Sequence, residues 1–221
     1  MSLVEDMRID TDRVWRTGIA EAVYAPGKTV AQVLEASRRL LAVDAGAVLV
    51  TRCSDEQLEA LGEAFPEATL DEIGRVAVLR RQEETPPLGT VAIVTGGTVD
   101  LPVAREAGTC VEALGAKCDL LVDRGVAGLH RAIEAAELLR DADVVIAVAG
   151  FEGALPSVLG GLIAAPLIGV PTSTGYGAAF EGITALLSML SSCAPGLAVL
   201  GIDNGFGAAV HAVKILRGRR T

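Results

Sequence analysis

Val91-Ala92-Ile93-Val94-Thr95-Gly96-Gly97-Thr98-Val99-Asp100-Leu101-Pro102 decides how this chain is read. A run rich in β-branched residues stops at two glycines, and an apolar-periodic stretch from Leu101 to Leu114 follows. That is a strand passing through a tight turn into a helix. The unit then recurs: Cys118–Val122, Val144–Ala149, Pro166–Val170 and Leu197–Ile202 read as strands. Leu129–Arg140, Pro156–Ala164, Ile183–Ser192 and Gly207–Leu216 read as the helices between and after them. Strands that are apolar along their whole length have both faces covered. The expected fold is therefore α/β, a three-layer doubly wound parallel sheet of flavodoxin-like type.

Upstream the pattern is smaller. Thr29 is placed to cap a helix over Val30–Asp44, Ala47–Thr51 is a short buried strand, Asp55–Ala64 a second helix and Arg75–Leu79 a second strand. Residues 80–89, RRQEETPPLG, are polar and then Pro-Pro-x-Gly, which reads as a linker. This divides the chain into a small α/β domain over 1–85 and a larger one over 86–221.

Composition removes several function classes. A net charge of −9 and only 3% aromatic residues leave neither a basic face nor stacking platforms for nucleic acid. Four cysteines and two histidines show no paired ligand spacing, so a zinc site or disulfide scaffold is not expected. Scattered single thiols suit a reducing cytoplasm, and charge from Glu5 onward argues against a secretory leader. Gly153–Phe180 and Gly182–Ile202 are uncharged runs of 28 and 21 residues, long enough to raise the question of a membrane. Pro156, Pro166, Pro171 and Pro195 break any spanning helix, so burial by other copies of the chain is the favoured reading.

In open parallel sheets ligands sit outside the C-terminal strand ends. After the first strand, Thr95, Gly96, Gly97, Thr98 and Asp100 could form a phosphate cradle at the helix start, and equally a plain capped turn. After the second, Arg124 and Gly125 could grip a phosphate or carboxylate, or form a surface loop with a local ion pair. After the third, Gly150, Glu152 and Gly153 precede Ala154-Leu155-Pro156. Glu152, Glu181 and Asp203 are the charged residues between Val144 and Val213. A carboxylate buried in such surroundings has its pKa raised, as a general acid or base needs; the plain alternative is a solvated or helix-capping side chain. Cys193 follows Ser191-Ser192, and Asp203-Asn204 opens a further glycine-rich turn. A buried cysteine is ordinarily inert filling.

These motifs resemble the PurE class of aminoimidazole ribonucleotide carboxylases and mutases. The likeness lies in residues 95–102, in Ala149–Pro156 and in Leu167-Ile168-Gly169-Val170-Pro171. That class carries a catalytic His directly before the Leu-Pro, where this chain has Ala154. The substitution is similar to the LarB branch, which the runs Asp123–Arg131, Gly150–Gly153, Ser192–Gly196, Ile202–Gly207 and Arg16–Thr29 also resemble. The resemblance implies a pyridinium-3,5-biscarboxylic acid mononucleotide synthase in nickel-pincer cofactor biosynthesis. Such an enzyme carboxylates nicotinic acid adenine dinucleotide at C5 with CO2 and hydrolyses its phosphoanhydride to release AMP. It further implies Cys193 as nucleophile and Glu152 as base. Thr95, Gly96, Gly97, Thr98, Asp100, Arg124, Gly125, Gly150, Gly153, Asp203 and Asn204 would hold the substrate. Mg2+ would be the divalent cation, with no protein ligands assigned, and the assembly would be an octamer. The alternatives are an aminoimidazole ribonucleotide carboxylase or mutase, and a nucleotide-binding scaffold without catalysis.

Overall fold

The computed structural model describes residues 8–43, 46–82 and 86–219. Five strands, β5 (Thr90–Thr95), β6 (Lys117–Leu121), β7 (Val144–Ala149), β8 (Leu167–Pro171) and β9 (Leu197–Val199), form an all-parallel sheet in the order β6-β5-β7-β8-β9. This is the flavodoxin-like order, and its switch point lies between β5 and β7. Helices α4 (Leu101–Ala113) and α8 (Gly205–Gly218) cover one face. The other is covered by α5 (Leu129–Leu138), α6 (Leu155–Gly160) and α7 (Ile183–Leu190). β5 serves both layers: Val91 and Ile93 join the first core, Ala92 and Val94 the second.

The first domain is a mixed sheet in the order β1-β2-β4-β3, from β1 (Val23–Tyr24), β2 (Val48–Thr51), β3 (Thr69–Asp71) and β4 (Val76–Arg80). A short helix, α1 (Arg13–Thr17), precedes it. Its two longer helices start on reciprocal capping boxes. Thr29 and Gln32 open α2 (Val30–Leu41), and Ser54 and Gln57 open α3 (Asp55–Ala64). Those helices pack on one side of the sheet around Val33, Leu40, Val50 and Leu61. The other side is apolar too, and Leu49, Val76 and Val78 join the core built by α4 and α8. Helix α4 therefore lies between two sheets. Ala104, Ala107, Gly108, Cys110 and Ala113 are small enough to permit it, and Gly74 presses so close that a Cβ there would stand 2.7 Å from the Glu106 nitrogen.

Several expected boundaries move. The helix expected over Pro156–Ala164 ends at Gly160, where a glycine pair stops it, and the strand expected over Leu197–Ile202 ends at Val199. Asp44, the expected end of α2, and residues 83–85 of the expected linker lie outside the described residues. Among the described residues no helix is long and apolar enough to cross a membrane.

Candidate active site

The loops after β5, β6, β7 and β8 enclose a cavity of about 340 Å3 at the switch point. Gly96, Gly97 and Asp100 come from the first loop, Gly125, Val126 and Ala127 from the second, Gly150, Phe151 and Glu152 from the third, and Thr174 from the fourth; Ala154 and Leu155 at the start of α6 complete the apolar side. The glycines are required by close approach. A Cβ on Gly125 would stand 2.5 Å from the Gly96 carbonyl oxygen, and one on Gly150 would stand 2.4 Å from that of Thr174. Three strands of this sheet lead into a non-glycine residue in the left-handed region: Asp123 after β6, Phe151 after β7 and Asp203 after β9, with φ of 58°, 53° and 57°. Such strain collects where loops are held for a purpose.

Hydrogen bonds tie the loops together. Asp100 is buried; its Oδ2 accepts from the Gly97 N–H at 2.9 Å and its Oδ1 from the Thr172 hydroxyl at 2.7 Å. That joins the turn after β5 to the loop after β8. The Thr95 Oγ1 accepts from the Asp123 N–H at 3.0 Å, and the Thr95 carbonyl from the Arg124 N–H at 2.9 Å, which joins β5 to the loop after β6. Phe151 meets the ring of Tyr176 edge to face, 5.5 Å between centroids.

The expected site residues separate accordingly. Gly96, Gly97, Asp100, Gly125, Gly150 and Glu152 line the cavity. Gly153 forms the turn behind it, at φ 64° and against Ala185, where a side chain has no room. Thr95 is spent on internal bonds. Thr98 is exposed on the turn outside the lining, and Arg124 reaches toward Glu134 at 3.7 Å. The Arg124 Nε is buried with no hydrogen-bond partner among the described residues. Asp203 and Asn204 lie outside the cavity too: Asp203 accepts from the Ser173 N–H at 2.9 Å, and Asn204 caps α8 through the Gly207 N–H at 2.8 Å. Glu152 is exposed rather than buried: among the described residues none covers the rim where it stands.

Cys193 precedes β9 and so stands at the strand-start edge of the sheet, away from the cavity; it is exposed. Its neighbour Ser192 bonds Ser157 at 2.7 Å, which fixes that segment to α6. Burial pushes the Cys53 and Cys118 thiols up to about 12 and raises that of Cys110, so these three are poor nucleophiles. Among the described residues no group of three or more His, Cys, Asp or Glu could hold a metal ion. The composition had no means to single out Val99, Ala127, Leu155 or Thr174, which are ordinary residues; only their place after strand ends marks them.

A glycine-lined cavity at the switch point of a five-stranded parallel sheet defines a doubly wound α/β protein with a cavity of small-molecule size where such folds place their ligands. The AIR carboxylase model matches residues 90–221, and a LarB/PurE-like N-terminal domain model matches residues 2–82. The chain belongs to the AIR carboxylase family and has the two-domain architecture of LarB-like proteins. An uncharacterized protein of Methanocaldococcus jannaschii is 40% identical over 218 residues, covering 94% of this chain and 83% of that one. An N5-carboxyaminoimidazole ribonucleotide mutase of the same organism is 35% identical over 131 residues, 57% of this chain and 78% of the relative. A Treponema denticola PurE2 variant is a structural neighbour with TM-score 0.41 and 15% identity, over 59% of this chain and 92% of that one.

Proposed function

We propose that the cavity binds the pyridinium nucleotide half of nicotinic acid adenine dinucleotide, and that the protein carboxylates it at C5 and releases AMP by phosphoanhydride hydrolysis. One observation carries the reading. Asp100 and Glu152 are the ionisable residues lining the cavity, and Asp100 is already committed to Gly97 and Thr172. Ala154 stands where the resemblance to the mutases places a histidine, so the site offers one carboxylate base and no imidazole.

A pyridinium ring is electron-poor and does not attack CO2. Addition of a thiolate at C4 places the ring electrons in a dihydropyridine, whose enamine carbon C5 is nucleophilic. C5 then bonds CO2, Glu152 takes the C5 proton, and the electron pair restores the ring and expels the thiolate. Cys193 is the exposed thiol suited to this role. Since one chain holds it at the far edge of the sheet, it would reach the cavity of a neighbouring copy. The exposed apolar residues Ile183, Leu187 and Leu190 on α7, just before Cys193, favour such an assembly, with an octamer as the proposed state. The lining residues build no metal cage; Mg2+ would enter on the diphosphate of the substrate, and none of the steps above is assigned to it.

The test is mass spectrometry after incubation with the dinucleotide, 13C-bicarbonate and Mg2+. AMP together with a labelled dicarboxylated pyridinium mononucleotide is the expected result. Unchanged dinucleotide, with turnover of carboxyaminoimidazole ribonucleotide, would overturn it in favour of the mutase activity named for the 35% identical relative.

A further inference from the structure

Two charged clasps join the first sheet to the second domain. In one, buried Asp71 at the end of β3 accepts from the Thr109 hydroxyl at 2.5 Å and pairs with Arg105 at 2.7 Å, both on α4. This clasp goes no further than the helix. The other starts at Arg52, the residue just past β2, which holds a left-handed φ of 56°. Its Nη2 donates to the carbonyl oxygen of Asp203, and its Nε reaches the buried Glu106 at 3.4 Å. The Glu106 carboxylate in turn accepts from the Gly205 N–H at 3.0 Å, and the Tyr24 ring lies 6.0 Å from the guanidinium.

From Asp203 the connection runs into the cavity wall. Asp203 is itself left-handed, and its carboxylate accepts from the Ser173 N–H at 2.9 Å. Ser173 lies between Thr172, which holds Asp100, and Thr174, which lines the cavity and accepts from the Phe151 N–H at 2.9 Å. A non-glycine residue stays left-handed only where its surroundings fix it. Asp203 is fixed by Arg52 and the Gly205 N–H on its carbonyl, by Ser173 on its carboxylate, and by its own N–H on the Pro171 carbonyl at 2.9 Å; of these, Arg52 is the contact from the N-terminal domain.

We infer that Arg52 is a positioning residue through which the N-terminal domain sets residues 172–174 of the cavity wall. Its kinetic consequence rests on the carboxylase reading; its geometric consequence does not. Without Arg52, Asp203 keeps its bonds to Pro171 and Gly205 but loses its restraint from the N-terminal domain, so its carboxylate holds Ser173 less firmly and Thr174 gains freedom with it. Displacements of about 1 Å in a site cost up to roughly 10²-fold in rate.

The experiment compares Arg52→Met with Asp71→Asn by hydrogen exchange and kinetics on the full chain. The expected result for Arg52→Met is exchange about 10-fold faster over the peptide holding Ser173, and a roughly 10- to 100-fold fall in kcat/KM that Arg52→Lys recovers in part. Asp71→Asn is expected to speed exchange around residues 71–78 and leave Ser173 and kcat/KM within about twofold. Unchanged exchange at Ser173 in Arg52→Met, or an equal rise in both variants, would overturn the inference. If Arg52→Met does not fold, Glu106→Gln, which removes the charge that holds Arg52, is judged by the same two readouts. If the parent protein leaves the dinucleotide untouched, the carboxylase reading falls and the exchange comparison still decides the role of Arg52.

Discussion

The two sheets are built from strands of similar apolar character and differ in how those strands end. In the five-stranded sheet β5 ends on a glycine pair, β7 on Gly150, and three strands lead into left-handed residues, so backbone from four loops converges on one cavity. In the four-stranded sheet β2 also ends on a left-handed residue, Arg52, but its strands lead into capping boxes and ion pairs, which satisfy the backbone and leave little free. The cavity thus lies at one edge of one sheet, and the other sheet's polar residues are spent on holding.

The sharpest break in this division is expected from Glu152→Gln and Cys193→Ser. Each is expected to lower the carboxylation rate by about 10²-fold or more, with thermal unfolding unchanged. Wild-type rates in either variant would remove that residue from the chemistry.

Next come the cores. Leu159→Ala and Leu61→Ala each delete a fully buried side chain, one per domain, and each is expected to destabilise by about 2–5 kcal/mol in urea unfolding. Because Leu49 and Val78 share one core with Val91 and Ile146, both variants are expected to keep a single transition. Two separated transitions would show that the sheets unfold independently.

A smaller effect distinguishes the two kinds of glycine. Gly125→Ala meets the Gly96 carbonyl and Gly74→Ala meets α4, so each is expected to destabilise by about 1–3 kcal/mol. Only Gly125→Ala is expected also to raise KM for the dinucleotide, since only Gly125 lines the cavity.

The smallest effects are in pH dependence, where the clasps carry opposite signs. Burial raises the Asp71 carboxyl, but the Gly74 N–H, Thr109 and Arg105 together outweigh it and hold the group below its ordinary 3.8. Its contribution is present above that value and is lost as pH falls through the depressed one. Burial dominates at Glu106, which is held above its ordinary 4.5 despite Arg52, so stability declines as pH rises from there through the raised value. Asp71→Asn is expected to flatten the acid limb of the stability profile, and Glu106→Gln to remove the decline above 4.5.

The five-stranded sheet was legible because β5, β7 and β8 are continuous apolar runs closed by glycine or proline, whereas β6 carries Lys117 and Asp119 and was placed by its spacing between helices. Helix α3 was legible to the residue because Ser54 and Gln57 mark its start. β1 and β3 were not, since two and three residues are too few to carry a period. The strand-end rule located the cavity, yet it gave Asp203 and Asn204 the same weight as Gly96, although they are spent on Ser173 and α8. The Arg52–Asp203 bond joins residues 151 apart in the chain, and no local pattern announces a contact of that separation.

The burial of α4 between two sheets also has a consequence in time. During synthesis the first sheet is complete before α4 emerges, and until then Leu49, Val76 and Val78 lie bare on its open face. The nascent chain therefore carries an uncovered apolar surface over at least the 20 residues, 81–100, that separate β4 from α4, at the stage when domains ordinarily close as units. Folding of the first domain on the ribosome waits on the second, and a chain halted after β4 is expected to be sticky rather than native.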